Sequence, residues 1–253
     1  HKISFLLTGD EEGTGINGTK KMLEYIQNKN IKIDFCIVGE PTNEETIGDM
    51  AKIGRRGSIN FDLTINGKQG HIAYPEGAIN PNHILTRTLN DLIQYKFDTG
   101  NADFLATQLQ ISSIDVGNSA TNVVPSSANA RFNVRFNNIH QSSDIIEIIE
   151  KICKNNSSDN FILTHRVSGE SFLTKKNKDI SDFLATIKKV TNITPKASTT
   201  GGTSDARFIK DYTPLIEFGL LNATAHQVDE HSNLDDLYKL EEVYLAFLEQ
   251  YNT

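Results

Sequence analysis

Three short apolar runs constrain this 253-residue chain more than any other feature: Ile3-Ser4-Phe5-Leu6-Leu7, Phe35-Cys36-Ile37-Val38 and Leu215-Ile216-Glu217-Phe218. They do not alternate with polar residues, which is how strands read when helices cover both faces of a parallel sheet. Each run leads into a glycine-bearing segment rich in acid or imidazole groups. These segments are Thr8-Gly9-Asp10-Glu11-Glu12-Gly13, Gly39-Glu40-Pro41-Thr42 and, after Gly219, Asn222-Ala223-Thr224-Ala225-His226-Gln227. Open α/β sheets build their sites at the carboxyl ends of such strands. Side chains alternate sides along a strand, so Glu11 and Glu12 can serve one site only if the backbone turns there, as Gly9 and Gly13 permit. Taken alone, this loop reads equally as an acidic surface turn.

From Gly57 the pattern changes. Ile59, Phe61, Leu63 and Ile65 alternate with Asn60, Asp62, Thr64 and Asn66, the period of a half-exposed strand. Asn80 to Phe97 reads as an amphipathic helix, and strands follow over 108–116 and 130–136. A second helix, with Ser142 and Ser143 as cap candidates, carries Ile145, Ile146, Ile148, Ile149 and Ile152, and a strand over 161–167 closes a β-α-β-β-α-β order. This predicts an inserted, ferredoxin-like α+β layer over residues 57–168, between α/β portions at 1–56 and 169–253. Within those portions, Ile16, Met22, Leu23, Tyr25 and Ile26 space a helix before the Cys36 strand, giving a β-α-β unit. Further helices are expected over 180–190 and 234–247.

Composition excludes some functions. A net charge of −7 argues against a general nucleic-acid or anionic-membrane surface, so any anion recognition must be local. The two cysteines, Cys36 and Cys153, form no disulfide framework and suit a reducing cytoplasm. No apolar run approaches the length of about 18 residues that a membrane span needs, and no signal peptide is visible. Glu12, Glu40 and His226, at three strand ends, are oxygen and imidazole donors of the kind that hold Zn²⁺ or a similar divalent ion.

The words TGDEEG, VGEPT, GRRGS, GKQGHIAYP, TNVVP, TTGGTSDARF and NATAHQVDE occur in this order over nearly the whole chain. On them the chain resembles the zinc-dependent amidohydrolases that include desuccinylases of succinyl-diaminopimelate, deacetylases of acetylornithine, aminoacylases and glutamate carboxypeptidases. GRRGS and GGTSDARF point to the desuccinylase branch. The resemblance implies a zinc-peptidase-like α/β domain interrupted by a dimerisation domain, and hydrolysis of N-succinyl-diaminopimelate to succinate and diaminopimelate in lysine biosynthesis. It implies two Zn²⁺ per subunit, with Co²⁺ as a substitute, and a cytoplasmic homodimer acting on a small N-acyl amino acid, with no nucleic acid and no membrane. Glu11 would be the general base. Glu12 and His226 would bind one zinc and Glu40 the other.

By the same resemblance His71, from the partner subunit, and Asn122 would stabilise the oxyanion, although a histidine in a Gly/Pro-bounded loop reads alone as structural or exposed. Arg55, Arg56, Ser58, Arg135, Gly202 and Thr203 would contact substrate, since arginine pairs carboxylates in a bidentate way and a succinylated diaminopimelate carries several. One arginine of the adjacent pair reads equally as a solvated surface residue. A short helix starting near Asp205 offers N–H groups to a carboxylate, or is an ordinary capped loop. His231 competes with His226 for the metal, and the family pattern favours His226. His83, His140 and His165 read as structural or surface residues. The family's His-x-Asp metal motif and bridging aspartate precede the point where this chain opens, at His1, so a truncated piece with weak zinc binding and no activity is expected. Acetylornithine deacetylation, dipeptidase activity and a non-catalytic remnant are the alternatives.

Overall fold

The computed structural model describes residues 2–9, 11–13 and 15–250. Asp10, within the first acidic segment, and His1 lie outside the described residues. The chain runs α1 (Thr19–Asn28), β1 (Cys36–Val38), β2 (Met50–Lys52), β3 (Gly54–Arg55), β4 (Gly57–Asn66) and β5 (Gly70–His71). After a single 3₁₀ turn come α2 (Pro81–Gln94), β6 (Gln108–Asp115), β7 (Val123–Val124), β8 (Ser127–Phe136), α3 (Ser142–Ser157), β9 (Phe161–Gly169) and β10 (Phe172–Leu173). The rest is α4 (Lys178–Thr191), β11 (Lys196–Ser198), α5 (Ala206–Ile209), β12 (Leu215–Glu217) and α6 (Leu234–Gln250). Two compact units result: unit 1, residues 1–55 and 172–253, and unit 2, Arg56–Ser171.

Unit 1 is built on a sheet of order β1-β12-β2-β11, in which β1–β12 and β2–β11 are parallel and β12–β2 antiparallel. Its core gathers Ile47, Ala51, Ile53, Ile216 and Phe218 from strands and loops with Ile180, Phe183 and Ile187 of α4 and Leu240, Val243 and Phe247 of α6. The helices stay in place because their apolar residues recur every three or four positions and meet one face of the sheet. Asn177 caps α4 by accepting the Ile180 N–H at 2.9 Å, and Asn192 ends it in the left-handed conformation.

Here the structure corrects the sequence reading in two places. Residues 3–7 form no strand among the described residues: Phe5 and Leu7 are 84% and 88% exposed, so the first strand of the expected β-α-β unit is missing. An apolar run becomes a strand only where a neighbour completes its hydrogen bonds. Likewise α1 buries Leu23, while Ile16, Met22 and Tyr25 are exposed.

Unit 2 is built on an antiparallel sheet of order β6-β8-β4-β9, the ferredoxin-like arrangement, and also holds the two-stranded β5–β7 pair. Ile59, Phe61, Leu63 and Ile65 of β4 and Ala128, Ala130, Phe132, Val134 and Phe136 of β8 all point to the covered face, against Leu85, Leu89 and Leu92 of α2 and Ile145 and Ile149 of α3. The polar residues between them occupy the opposite face. Gly57 lies directly against the Phe136 ring, where a Cβ would come within 2.1 Å. The start of α3 is set by Gln141 rather than by the serines: its backbone N–H donates to Asp144 Oδ2 at 2.8 Å.

The loop over 98–107 is fastened by one carboxylate. Asp98 accepts from the N–H groups of Gly100 (2.7 Å) and Thr107 (3.2 Å) and from Asn137 Nδ2 (2.7 Å), with His140 Nε2 at 3.2 Å. Burial alone would raise its pKa, but these bonds outweigh it and hold the carboxyl below its ordinary value. A depressed carboxyl stabilises the fold above the unfolded-state value near about 4 and loses that contribution as pH falls through its own lower pKa. Asp98→Asn should therefore destabilise the protein at pH 7 by about 1–3 kcal/mol and flatten the acid limb of its stability curve below about pH 4. Thermal unfolding across pH checks this, and an acid limb identical to wild type would contradict it.

Candidate active site

Glu40 follows β1 and owes its place to close backbone packing. Gly219, just past the adjacent β12, has no side chain, and a Cβ there would sit 2.4 Å from the Glu40 carbonyl oxygen. The turn is stapled from behind: Thr42 Oγ1 donates to the Met50 carbonyl (3.2 Å) and accepts from the Gly219 N–H (3.3 Å), and Asn43 Nδ2 donates to the Gly219 carbonyl (2.6 Å). The Glu40 carboxyl is pushed up to about 7, first by burial, then by the charges of Glu11 and Glu217. Glu11 is raised for the same reasons: burial first, then Glu12 and Asp205, with Arg207 and His226 pulling the other way. The structure thus brings Glu11, Glu12, Glu40, Asp205 and His226 of unit 1 into one electrostatic neighbourhood.

Glu12 Oε2 lies 4.0 Å from His226 Nδ1, both side chains being mostly exposed. His226 holds a left-handed backbone, φ 62°, which is uncommon for a residue with a side chain and marks a position held by its surroundings. Its N–H donates to Glu230 Oε2 at 3.1 Å. His231 is engaged within the same loop, with its Nδ1 2.7 Å from the Asp229 carbonyl and its backbone N–H donating to Thr224 Oγ1 at 3.2 Å. A carboxylate and an imidazole at this separation fit a shared divalent cation in donor type. Among the described residues no group of three His, Cys, Asp or Glu is positioned around one ion, so Glu12 and His226 are a partial donor set.

A buried arginine shares this neighbourhood. Arg55 is only 7% exposed and gives Nε and Nη2 to the two oxygens of the wholly buried Glu217, at 2.9 and 2.6 Å. Burial would lower its pKa, but the Glu217 bond and charge raise it. The Nε edge of Arg55, expected at the substrate, is thus occupied by a residue of the protein itself. Its Nη1 donates to the Gly202 carbonyl at 3.3 Å. Thr203 stands half-buried on the same loop. The helix beyond it, α5, is a single turn, too short for a helix-terminus carboxylate site. What marks this loop instead is Asp205, whose Oδ2 accepts from Thr19 Oγ1 at 2.5 Å while Oδ1 is buried without a partner. Asp205 and Glu217 escaped the sequence reading as site residues; the only local signal was an acid inside TSDARF and another inside an apolar run.

In unit 2, Arg56 Nε and Arg135 Nη1 are buried polar atoms without a protein partner. Both guanidinium groups have lowered pKa values from burial, and that of Arg135 is lowered further by the charge of Arg56. Ser58 pairs across strands with Arg135 and accepts from Asn133 Nδ2 at 3.0 Å, so Asn133 is another residue that sequence reasoning missed. His71 pairs with Val123 beside Asn122, whose carbonyl accepts the Ile72 N–H at 3.1 Å. His71 Nδ1 accepts the Ala73 N–H at 3.1 Å, so the neutral ring carries its proton on Nε2, leaving that atom to donate.

Compared with known proteins, residues 53–160 match a family model described as "Peptidase dimerisation domain". The succinyl-diaminopimelate desuccinylase of Pelagibacter ubique is 53% identical over 98% of this chain and 66% of its own length. That of Rickettsia bellii is 50% identical over 97% of this chain and 64% of its own. The chain is thus similar to these desuccinylases along nearly all of its own length. It spans just under two thirds of the length of these curated relatives. Solved structures agree on the fold: aminopeptidase PepT of Bacillus cereus has a TM-score of 0.77 at 15% identity, covering 97% of this chain and 63% of that one. An M20 family metallo-carboxypeptidase of Sulfolobus solfataricus has 0.76 at 16% identity, covering 96% and 69%. The fold expected from sequence, an α/β domain with an inserted α+β layer, is the fold these solved structures share with this chain. No helix among the described residues is long and apolar enough to cross a membrane.

Glu40 yields a prediction for the metal-free protein. Its folded-state pKa is raised, so its contribution is fully present below the unfolded value near about 4.3 and is lost as pH rises through about 7. Glu40→Gln should match wild-type stability at or below about pH 4 and exceed it near about pH 8, while lowering zinc affinity about tenfold or more. Calorimetric unfolding at the two pH values and zinc titration check both halves; a variant less stable than wild type at the higher pH would contradict the burial argument.

Proposed function

We propose that the chain takes part in metal-dependent hydrolysis of the amide bond of N-succinyl-diaminopimelate, releasing succinate and diaminopimelate for lysine synthesis. The observation that carries this reading is the meeting of Glu11, Glu12, Glu40 and His226 in one acidic neighbourhood of unit 1, in a chain half identical to desuccinylases. Glu12 and His226 would hold Zn²⁺, for which Co²⁺ is the natural substitute, and Glu40 would serve a second ion. When bound, such an ion polarises an amide carbonyl and lowers the pKa of water to about 7.

The chain's own residues supply the rest. Glu11, whose carboxyl is raised above its ordinary value by burial and by the neighbouring acids, would accept a proton and return it to the leaving amine. Arg56 and Arg135, with unpartnered N–H groups, are suited to a substrate carboxylate, and Ser58 beside them to a hydrogen bond. Arg55, Gly202 and Thr203 contribute to substrate binding from unit 1. His71 Nε2 and the Asn122 amide are donors for the developing oxyanion, supplied across a homodimer that the peptidase dimerisation match supports. The free thiols suit the cytoplasm: burial raises Cys36 to about 11 and, with the Glu150 charge, Cys153 to about 12, so neither is a nucleophile.

In the zinc-loaded protein, Glu11→Gln is expected to reduce turnover by at least about 10²–10³ and leave bound zinc unchanged. Assay against succinylated and acetylated substrates, with metal analysis, tests this; near-wild-type turnover by the variant, or better cleavage of acetylornithine, would refute it. Mixing Glu11→Gln with His71→Ala protein should restore part of the activity through hybrid dimers, and failure of mixing to do so would place His71 in its own subunit's chemistry.

A further inference from the structure

We propose that Glu217 is a positioning residue: it locks Arg55 side-on and thereby fixes the Ser198–Thr203 loop beside the acidic cluster. The inference rests on the reading of this chain as a hydrolase of a carboxylate-bearing amide. Glu217 is wholly buried at the carboxyl end of β12, paired across the sheet with Val38 and with Lys52. A buried carboxylate in such a place has to be paired, and both of its oxygens are taken by Arg55, through Nε (2.9 Å) and Nη2 (2.6 Å).

Guanidinium geometry then decides what remains. Arginine has five N–H bonds in a rigid plane. Two go to Glu217 and one, from Nη1, goes to the Gly202 carbonyl at 3.3 Å. The two that are left lie one on each terminal nitrogen, the pair of atoms that a second carboxylate addresses end-on. Side-on capture by Glu217 therefore frees that edge, whereas end-on capture would consume it.

The same arginine is the wall of the loop. Gly201 has φ +101°, and a Cβ there would come 2.7 Å from Arg55 Nη1, so the turn closes directly on the guanidinium. Lys52, 3% exposed, holds the loop from the other side by donating to Thr200 Oγ1 at 2.8 Å; Thr200 N–H in turn donates to Ser198 Oγ at 3.2 Å. Neither basic residue reaches the loop from free solvent, and Glu217 is the buried counter-charge that lets Arg55 stay there.

The test is Glu217→Gln, which keeps the side chain's shape and removes its charge and one acceptor. Amide hydrogen exchange over 199–204 should accelerate about tenfold or more, while the β4 and β8 core strands exchange as in wild type. With succinylated substrate, KM should rise about tenfold or more with kcat within about threefold, because a carboxylate contact is lost in ground and transition states alike. Glu217→Asp, which keeps the charge on a shorter stem, should shift both in the same direction by less, and serves if the Gln variant does not fold. Unchanged loop exchange in whichever variant folds, or a fall in kcat with KM unchanged, would overturn the assignment. If wild type does not cleave the succinylated amide, the proposed function fails, and loop exchange alone still decides the role of Glu217.

Discussion

The constraint on which unit 1 depends is the gathering of carboxylates away from water. Glu11, Glu40, Asp205 and Glu217 are all held near the carboxyl ends of β1 and β12, where each raises the cost of ionising another. Glu217 is relieved by the resident Arg55. Glu40 and Glu11 are left with raised pKa values, and the Glu12–His226 pair faces the same neighbourhood with donors suited to a cation. Much of the local backbone serves this crowding: Gly219 approaches the Glu40 carbonyl closely, Thr42 and Asn43 staple the turn, and His226 accepts a left-handed conformation. The fold spends stability to keep like charges together, the usual sign of a site whose partner is supplied from outside.

Unit 2 rests on a different balance. Its covered face is a continuous apolar layer, with Phe61 stacked on Phe132 at 5.1 Å, and it needs no charge to hold together. Its open face carries Ser58, Asn60, Asn133 and Arg135 in alternating positions, so the strand period delivers polar groups without disturbing the core. Asn133 ties Ser58, Asn60 and the Ile59 carbonyl together through one amide nitrogen, at 2.9 to 3.1 Å. A rigid polar ladder of this kind keeps Arg135 beside Ser58, while the arginines keep N–H groups unspent for a ligand.

Features carried by local period were legible in the sequence. The alternation from Ile59 to Ile65 gave a strand and the isoleucines of α3 a helix, and the same rule served α2, α4 and α6. The reading failed where structure depends on distant partners. An apolar run at 3–7 resembles a strand, but pairing is a property of neighbours, and the run is exposed here. Glu217 inside an apolar run reads as an interruption until Arg55, 162 residues away, is seen to hold both of its oxygens. Asp205 likewise gains meaning from Thr19, 186 residues away. The motif words brought the right residue types to attention, but which arginine keeps free N–H groups and which is bound to the protein is decided by packing alone.

The central claim is that the acidic neighbourhood of unit 1 is a cation site whose oxygen and nitrogen donors include Glu12 and His226. It is tested most directly by crystals grown with zinc and measured at energies on either side of the zinc absorption edge. The account predicts an anomalous peak within about 2.0–2.2 Å of a Glu12 oxygen and the His226 ring nitrogen. A peak bound to Cys36, or at a surface site remote from both residues with this neighbourhood empty, would contradict it.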